Sequence, residues 1–418
     1  MEQNLFDERE ARDPQAREAA LMAALPGVIA AAKRHCPAYR DLLADVVAAD
    51  IRDRAMLARL PLTRKSELLE LQRRYPPFGG FAAVPIATLR RIFVSPGPIY
   101  EPEGRRPDYG RFARALFAAG FRRGDLIHNA FAYHLTPAGA LLESAAEALG
   151  CPVIPAGTGQ TEQQLRAIAD LKPVGYAGTP SFLKILLDRA AADGIDAGSI
   201  KKALVGAEAL PAALRREFRD RGVAVLQCYG TADIGLIAYE TAGADGEPEP
   251  GMVLDEDIIV EIVRPGSGEP VAPGDTGEVV VTTLTPEYPL IRFATGDLSA
   301  VLTEAPPGPR TNQRIKGWLG RADQATKVRG LFVHPAQIGD LLRRHAGLAR
   351  ARLVVDRGAG GDTMVLLVEG RQPLGQGREA EIAQSLQAVT RLRGTVSVVA
   401  PGTLPDDGKL IEDRRPLD

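Results

Sequence analysis

Residues 202–208, Lys-Ala-Leu-Val-Gly-Ala-Glu, and residues 223–233, Val-Ala-Val-Leu-Gln-Cys-Tyr-Gly-Thr-Ala-Asp, have a shared pattern. Each begins with a short apolar run and ends in small and polar residues, and residues 211–221 between them have the composition of a helix. The same alternation of helix and short apolar strand begins near residue 110. Such alternation predicts an α/β protein whose mostly parallel sheet lies between layers of helices.

The pattern predicts individual elements on both sides of this stretch. In its central part we expect strands at 126–130, 152–155, 174–177, 202–205 and 223–228, and helices at 111–119, 138–149, 162–171, 180–192 and 211–221. Residues 14–75 are expected to be helical, with a helix starting at Thr63. Alternating β-branched residues at 257–263 and 277–283 predict an antiparallel β subdomain at about 250–318.

A third region begins near Gly320, where the order of predicted elements becomes β-α-β-β-α-β. Its strands are expected at 327–333, 352–356, 364–369 and 396–399, and its helices from Pro335 and at 378–392. We therefore expect two domains, a large one over 1–322 and a small α+β one over 323–418.

Charge and composition exclude several classes of function. The 418 residues contain 51 Lys and Arg against 53 Asp and Glu, a formal net charge of -2, which favours neither nucleic acid nor an anionic membrane as partner. The amino terminus is acidic where a signal peptide is basic, and the longest apolar stretch, 20–32, is too short to span a membrane. Three widely spaced cysteines favour reduced thiols, so we expect a cytoplasmic protein with no membrane segment and a small-molecule partner.

The ends of the last two parallel strands carry residues suited to a purine. Gly206-Ala-Glu208 and Tyr229-Gly-Thr-Ala-Asp233 offer backbone approach, one aromatic ring and two carboxylates to a single crevice. Further along, Thr295-Gly-Asp297 places a carboxylate after a tight turn, where it can accept from both hydroxyls of a ribose, and Arg321 in Gly320-Arg-Ala-Asp323 adds a donor. Each motif taken singly is equally typical of an ordinary turn.

Two other patterns are weaker. Gly157-Thr-Gly-Gln-Thr-Glu162 follows a strand and opens a helix, but it lacks the third glycine of a dinucleotide-binding fingerprint, so we interpret it as a tight turn. Lys409 lies near the end of the chain in Asp-Asp-Gly-Lys, a position where a lone lysine is normally solvated.

Taken together, the order and spacing of these motifs resemble the adenylate-forming superfamily, and within it the phenylacetate–CoA ligase branch. Pro61-Leu-Thr-Arg-Lys65 and Gly178-Thr-Pro-Ser181 match two further motifs of that branch. The resemblance implies an ATP-dependent ligase that forms an acyl-adenylate and then a coenzyme A thioester. It implies ATP or AMP, Mg²⁺ and coenzyme A as cofactors, a small carboxylic acid as substrate, and a homodimer, since relatives in this branch are commonly dimeric.

The resemblance also implies roles for single residues. Lys409 is the expected catalytic cation of the adenylation step, Asp323 the hinge of a mobile carboxy-terminal domain, and Asp233 the magnesium ligand, where the family usually has glutamate. The residues expected to bind the nucleotide are Gly206, Ala207, Glu208, Tyr229, Gly230, Thr231, Asp297 and Arg321. Residues 128–136 resemble the segment that forms the acid pocket, which predicts that Phe131, Tyr133 and His134 line it.

One stretch departs from the family. The segment that normally forms a Gly-rich phosphate loop is here Phe93–Gly104, with three prolines that lack a donor and with Glu101 and Glu103, which repel phosphate. Only Ser95 and Gly97 remain as contacts, and Arg105-Arg106 is the nearest source of positive charge. Two interpretations stay open: a working ligase that handles pyrophosphate with other cations, and a nucleotide- or acyl-binding relative that has lost the chemistry.

Overall fold

The computed structural model of the chain describes residues 5–95, 99–304, 308–322, 326–328, 331–333, 335–358, 361–373, 375, 377–405 and 409–415. The chain folds into two compact units. The first unit comprises Met1–Arg264, Gly268–Thr295 and Ala300–Trp318, and the second comprises Pro265–Ser267, Gly296–Ser299 and Leu319–Asp418.

The α-helices lie mostly in the first two thirds of the chain. They are α1 (Pro14–His35), α2 (Pro37–Leu42), α3 (Arg54–Leu57), α4 (Leu68–Arg74), α5 (Ala113–Ala118), α6 (Ala138–Leu149), α7 (Thr161–Leu171), α8 (Pro180–Asp193), α9 (Ala212–Asp220), α10 (Pro335–Arg344) and α11 (Arg378–Thr390).

The strands are mostly short. They are β1 (Thr63–Arg64), β2 (Arg91–Ser95), β3 (Ile99–Glu103), β4 (Ile127–Asn129), β5 (Val153–Pro155), β6 (Gly175–Gly178), β7 (Lys202–Val205), β8 (Ala224–Thr231), β9 (Gly235–Tyr239), β10 (Met252–Leu254), β11 (Ile258–Val263), β12 (Gly277–Thr283), β13 (Phe293–Ser299), β14 (Arg314–Ile315), β15 (Gly320–Arg321), β16 (Thr326–Val328), β17 (Leu331–Val333), β18 (Leu348–Gly358), β19 (Gly361–Gly370), β20 (Thr395–Val399) and β21 (Ile411–Asp413).

The largest sheet of the first unit has the strand order β14-β10-β9-β8-β7-β6-β4-β5. The strands from β5 to β8 run parallel, and β9, β10 and β14 continue the sheet with antiparallel pairs. The α/β class predicted from the sequence is confirmed. Because parallel strands end at the same edge, the residues that follow β4, β6, β7 and β8 meet there.

Local sequence explains where the helices beside this sheet begin and end. Pro180 occupies the first turn of α8, and the Thr179 hydroxyl accepts from Phe182 N across 3.3 Å, so the Thr-Pro pair starts the helix. Gly150 ends α6 in a left-handed conformation at φ +80°. Because of these signals, the observed bounds of α6 and α8 agree within one residue with the helices predicted at 138–149 and 180–192.

Three elements differ from the prediction. Thr63 does not start a helix: β1 pairs in parallel with Phe293 and Ala294 of β13, and the helix α4 begins only at Leu68. The strand predicted at 223–228 continues to Thr231, because β9 supplies antiparallel partners beyond the parallel neighbour β7. The strands β10 and β14, inside the expected β subdomain, extend the large sheet, since β10 pairs with the edge of β9.

The second unit contains a sheet with the order β20-β19-β18-β21 and the two helices α10 and α11. The strands β18 and β19 form a long antiparallel hairpin, and the flanking pairs are parallel. The single strand expected at 327–333 is a hairpin of β16 and β17. Buried aliphatic residues of this unit, among them Leu353, Leu366 and Leu386, form its own core.

Candidate active site

An apolar cavity of about 220 Å³ lies at the carboxyl edge of the large sheet. Its wall combines residues that follow β4 and β7, residues of β8, and the first turns of α6. The lining residues are Ser95, Phe112, Phe131, Thr136, Pro137, Ala138, Leu141, Leu142, Gly206, Ala207, Cys228, Gly230, Thr231 and Ala232. Ionisable side chains contribute only the Cys228 thiol to the lining described, so the cavity suits an uncharged, compact group.

Small residues keep this cavity open. A side chain at Gly206 would place its Cβ 3.0 Å from Cys228 Sγ, so a larger residue would push against the wall. The next residue, Ala207, has a left-handed backbone at φ +64°, which turns the chain sharply after β7. Glu208 is exposed, and its Oε2 accepts from Ser181 N at 3.4 Å. The first expected nucleotide motif therefore lies at a tight turn beside the cavity.

Tyr229 is held differently from its neighbours on β8. Gly230 and Cys228 line the cavity, whereas Tyr229 belongs to a buried apolar cluster and is 7% exposed. Successive strand residues point to opposite faces, which accounts for the difference. Stacking of Tyr229 on an adenine thus requires the base to reach the face of β8 opposite this cavity.

The expected ribose-binding residues lie together in the second unit. Asp297 of β13 and Arg321 of β15 are directly opposite each other on antiparallel strands. Arg321 Nη1 donates to Asp297 Oδ1 across 3.1 Å, with the Asp297 side chain 10% exposed. Gly296 has φ +77°, and a Cβ there would lie 2.6 Å from Arg321 Nη2. The Thr-Gly-Asp turn therefore needs its glycine for both backbone conformation and space.

The three residues expected in the acid pocket do not all line the cavity. Phe131 lines the cavity, but Tyr133 and His134 are absent from the lining described. Asn129 Nδ2 donates to the Tyr133 hydroxyl across 2.8 Å, and burial, together with a hydrogen bond to Glu143, raises the pKa of Tyr133. His134 is exposed. The hydrogen bonds of Tyr133 thus direct its hydroxyl to Asn129 and Glu143, a contact that the segment's sequence does not reveal.

The strands β2 and β3 pair in antiparallel fashion. Gly97, one of the two expected phosphate contacts, lies outside the described residues. Ser95 is buried, and its hydroxyl donates to Glu101 Oε1 across 2.6 Å. Arg91 Nη1 donates to both carboxylate oxygens of Glu103 at 3.0 Å, which neutralises that side chain. One of the two carboxylates expected to repel phosphate is therefore ion-paired.

The two arginines that follow this hairpin have partners elsewhere. Arg105 Nε donates to the Thr88 carbonyl across 3.0 Å, and Arg106 Nη2 donates to the Tyr109 carbonyl across 3.2 Å. Arg106 also lies over the Tyr109 ring. In the structure Arg105 and Arg106 therefore contact these carbonyl oxygens and this ring, and not a phosphate site.

Asp233 forms an ion pair that sequence reasoning missed. Lys65 Nζ donates to Asp233 Oδ2 across 2.5 Å, and the Asp233 side chain is fully buried. Among the described residues, no group of three His, Cys, Asp or Glu side chains is placed to hold a metal. Magnesium bound with a nucleotide takes most of its ligands from phosphates and water and only one or two from protein carboxylates. The role of Asp233 as a magnesium ligand therefore stays a prediction.

The remaining expected residues lie near the limits of what the structure describes. Asp323, the expected hinge, lies outside the described residues, as does Gly408 beside Lys409. Lys409 itself is described and exposed, in the second unit. Within the part of the chain that is described, no helix is long and apolar enough to cross a membrane.

Comparison with known proteins identifies the family to which this chain belongs. The AMP-binding enzyme family matches residues 138–285, which include the turn at Gly206 and all of β8. A phenylacetate–coenzyme A ligase from Aromatoleum evansii is 34% identical over 350 residues, covering 81% of this chain and 77% of that protein. A phenylacetate–coenzyme A ligase from Thermus thermophilus is 35% identical over 364 residues, covering 84% and 80%. This chain belongs to the phenylacetate–CoA ligase family.

The fold of this family member is also found among solved structures. The crystal structure of 2-hydroxyisobutyryl-CoA ligase in an open conformation, in complex with 2-HIB-AMP and CoA, superposes with a TM-score of 0.85. It is 24% identical in sequence, and the match covers 99% of this chain and 95% of that one. This likeness confirms the fold, and the phenylacetate–coenzyme A ligases above confirm the family expected from the motifs.

Proposed function

We propose that this chain is an ATP-dependent acid–CoA ligase that activates a small acid with a compact, apolar tail. The apolar cavity at the ends of β4, β7 and β8 is the observation that carries the proposal, because nine of its fourteen lining residues lie within the segment matched to AMP-binding enzymes. Phenylacetate–coenzyme A ligases related over more than three quarters of their length support the same reaction class.

The reaction would proceed in two steps. A carboxylate oxygen of the acid attacks the α-phosphorus of ATP, and the bond to the β-phosphate breaks to release pyrophosphate. The thiol of coenzyme A then loses its proton, its sulfur attacks the acyl carbon, and AMP leaves. Both steps concentrate negative charge on phosphate or carbonyl oxygens, which a positioned cation stabilises.

Contacts to the nucleotide are proposed residue by residue from the family resemblance. Asp297 accepts from the ribose hydroxyls while Arg321, already hydrogen-bonded to it, fixes the carboxylate. The turn at Gly206, Ala207 and Glu208 would border the adenine on the side of the sheet edge. Gly230 and Thr231, which the family resemblance also assigns to the nucleotide, line the apolar cavity.

Lys409 would supply the cation for adenylation. The family resemblance assigns it this role, and its side chain is exposed in the second unit. Rotation about Asp323 would then replace Lys409 by surfaces that admit coenzyme A. The domain boundary proposed at 322/323 lies close to the division of the two compact units at Trp318 and Leu319.

Magnesium would enter with ATP. Because Lys65 already pairs with Asp233, the phosphates and water would provide most of the ligands of this ion, as is usual for Mg²⁺ bound with nucleotides. Bound in this way, the ion supplies charge neutralisation of the triphosphate. The residues of the chain that bind, orient and shield the acid do so independently of it.

The shape and polarity of the cavity restrict the acid. Phe112, Phe131 and Leu141 provide apolar walls, and a volume of about 220 Å³ accommodates a single ring or a short branched chain. A second carboxylate or an amino group would be buried without a partner, at a cost of several kcal/mol. We therefore propose monocarboxylic aryl and short acyl acids as substrates.

The altered phosphate segment suggests a second candidate function for the protein. If the prolines at 96, 98 and 102 leave the triphosphate without donors, the chain is a nucleotide- or acyl-binding relative. Retention of Asp297, Arg321 and Lys409 favours the ligase, because binding of an acyl group alone does not require them.

Product analysis distinguishes the two functions. The protein is incubated with ATP, Mg²⁺, coenzyme A and a panel of aryl and short acyl acids, and acyl-CoA is detected by mass. We expect thioester with at least one apolar acid and none with dicarboxylates. Absence of thioester and of pyrophosphate across the panel, with AMP still bound, would support the binding protein instead.

Location and assembly are further parts of the proposal. The three free cysteines are buried, as expected for a protein of a reducing compartment, and we propose the cytoplasm. A homodimer is proposed from the family resemblance, and light scattering of the purified protein tests it.

A further inference from the structure

Asn129 is a fully buried polar residue at the end of β4. Asn129 Nδ2 donates to the Tyr133 hydroxyl across 2.8 Å and to the Gly139 carbonyl across 2.9 Å. Asn129 Oδ1 accepts from Phe131 N across 3.2 Å. Both hydrogens of the amide and its oxygen are therefore engaged. One side chain thus joins three points of the segment 129–139.

The segment joined by Asn129 forms one wall of the apolar cavity. Phe131, Thr136, Pro137 and Ala138 belong to it, and all four line the cavity. Residues 130–137, between β4 and α6, form neither helix nor strand. Such a segment is fixed by individual hydrogen bonds, because it has no ladder of its own. The shape of this wall therefore depends on the residues that hold it from behind.

Phe131 connects this wall to the opposite side of the cavity. A Cβ at Gly206 would lie 3.8 Å from Phe131 Cζ, so the ring reaches the turn after β7. Phe131 N donates to the side chain of Asn129 two residues earlier, as in an Asx turn. Because the ring moves with its backbone, this hydrogen bond sets how far Phe131 extends toward Gly206. The length of a group that fits the cavity at this end is limited accordingly.

Tyr133 supports the wall without lining the cavity. Its ring packs against the first turn of α6, where a Cβ at Gly139 would lie only 2.8 Å from Tyr133 Cδ2. The loop after β5 approaches the same atom, since a Cβ at Gly157 would lie 3.8 Å from it. Asn129 fixes the hydroxyl end of this ring. The first turn of α6 is thereby positioned by Asn129 both directly and through Tyr133.

The loop after β5 is itself anchored to the end of β4. Gly157 N donates to the Asn129 carbonyl across 3.0 Å. Gln164 Nε2 donates to the Gly157 carbonyl across 2.9 Å and to the Gly159 carbonyl across 2.7 Å. The tight turn predicted at these glycines therefore has a defined place beside Tyr133, and it backs the ring that Asn129 holds.

We propose that Asn129 is the positioning residue of the apolar cavity, whose wall it holds in the shape that selects compact acids. The inference deepens the proposed ligase function and rests on it for the nature of the ligand. Asn129 is absent from the lining described, so it acts through Phe131 and Tyr133 without touching the acid. Without its amide, these residues and the first turn of α6 lose their common anchor. The cavity then binds compact acids more weakly and excludes longer ones less well.

Asn129→Ala and Asn312→Ala form a matched pair for kinetics. Asn312 is also buried, and its Nδ2 donates to the Leu254 carbonyl across 2.9 Å, outside the cavity lining. Phenylacetate, benzoate and isobutyrate serve as compact acids, and hexanoate as the longer one. We expect Asn129→Ala to raise the KM of the best compact acid about tenfold, with the ATP KM within about twofold of wild type.

The preference between acids separates positioning from a merely structural role. We expect Asn129→Ala to lower the ratio of kcat/KM for the best compact acid to that for hexanoate about fivefold. Asn312→Ala should keep the wild-type ratio. A wild-type ratio in Asn129→Ala would overturn the proposal, whatever the activity that remains.

Tyr133→Phe keeps the test decisive if Asn129→Ala fails to fold. The substitution removes only the hydroxyl that accepts from Asn129, on a half-buried side chain. We expect the KM of the best compact acid to rise about threefold, the value of one neutral hydrogen bond, and the preference over hexanoate to fall. An unchanged preference in this variant would then overturn the proposal.

Cys228 reports on the wall without catalysis. It lines the cavity, is 5% exposed, and burial raises the pKa of its thiol to about 12, so N-methylmaleimide should label it slowly. We expect Asn129→Ala to label severalfold faster at Cys228, relative to the buried Cys36, as measured by peptide mass. Asn312→Ala should label at the wild-type rate. Equal rates in Asn129→Ala and wild type would overturn the positioning role.

The labelling experiment distinguishes failure of the inference from failure of the proposed function. If the wild type forms thioester with no acid, the ligase function fails, and the labelling of Cys228 still decides whether Asn129 holds the wall. If the wild type forms thioester and Asn129→Ala keeps both its acid preference and its labelling rate, the positioning role fails while the ligase function stands.

Discussion

Arg321 Nη1 donates to Asp297 Oδ1 across 3.1 Å, and the two residues are register partners on the antiparallel strands β13 and β15. The backbone alone therefore brings a carboxylate and a guanidinium together. Such a pair orients the carboxylate. This geometry links the Thr-Gly-Asp and Gly-Arg motifs, which are 24 residues apart, into one structural element, for which we propose the contact to the ribose.

Gly296→Ala should disturb this element specifically. The new Cβ would meet the Arg321 guanidinium, which must move away from Asp297. We expect the ATP KM to rise by about tenfold, the value of one charged hydrogen bond. Gly246→Ala is the matched control, since Gly246 has φ +78° and no atom within 4 Å of a Cβ. Equal KM values for the two variants would argue against the role of the pair.

Lys409→Ala should separate the two half-reactions. Removal of the cation is expected to slow adenylation by roughly 10²–10³-fold, while thioester formation from a supplied acyl-adenylate is retained. Lys201→Ala, which removes another exposed lysine, is the control. Single-turnover assays of each half-reaction provide the measurement, and equal loss in both would count against the assigned role.

Ala138→Phe should fill the apolar cavity. Ala138 lies in the first turn of α6 and lines the wall, so a phenyl ring there competes with the acid. We predict a rise of at least about tenfold in the KM for the acid, or roughly 1.4 kcal/mol, with the ATP KM nearly unchanged. Ala148→Phe, on the exposed face of the same helix, is expected to behave like the wild type. If both variants bind the acid normally, the acid lies elsewhere.

Asp108→Asn should change how stability depends on pH. Burial raises the pKa of Asp108 from 3.8 to about 7, so its stabilisation is complete below 3.8 and is lost as pH rises to 7. Asparagine retains an acceptor for Ala113 N. We expect the wild type to lose about 1–3 kcal/mol relative to the variant over this range.

Chemical denaturation at pH 4, 5.5 and 7 measures this difference. Asp53→Asn is the control, since Asp53 caps Met56 N at a helix start that is exposed to solvent. A constant difference between wild type and Asp108→Asn would show that the Asp108 carboxyl is ionised throughout.

Local signals account for the parts of the fold that were predictable. The helix at 138–149 ends at a glycine with positive φ, and β7 matches the predicted 202–205 because a short apolar run ends at Gly206. β1 was not predictable: two residues become a strand only because β13, about 230 residues later, supplies hydrogen bonds. The length of β8 likewise depends on β9.

In the candidate site, too, local sequence predicts some features, and residues distant in the chain determine others. The turns at Gly206 and Gly296 follow from residue type, because glycine there is required by close approach and backbone conformation. The ion pair of Lys65 with Asp233 joins residues 168 positions apart, and the motif Leu-Thr-Arg-Lys contains no signal for its partner. The orientation of Tyr133 depends on Asn129 and on Glu143 of the following helix, which composition does not reveal.

Acid-dependent exchange of labelled pyrophosphate into ATP detects reversible adenylate formation without coenzyme A, so it shows whether this chain catalyses the first half-reaction. We expect exchange with at least one compact apolar acid, reduced at least about tenfold in Asp297→Ala and roughly 10²–10³-fold in Lys409→Ala. Absence of exchange with every acid, in protein shown to bind AMP, would contradict the proposed ligase function.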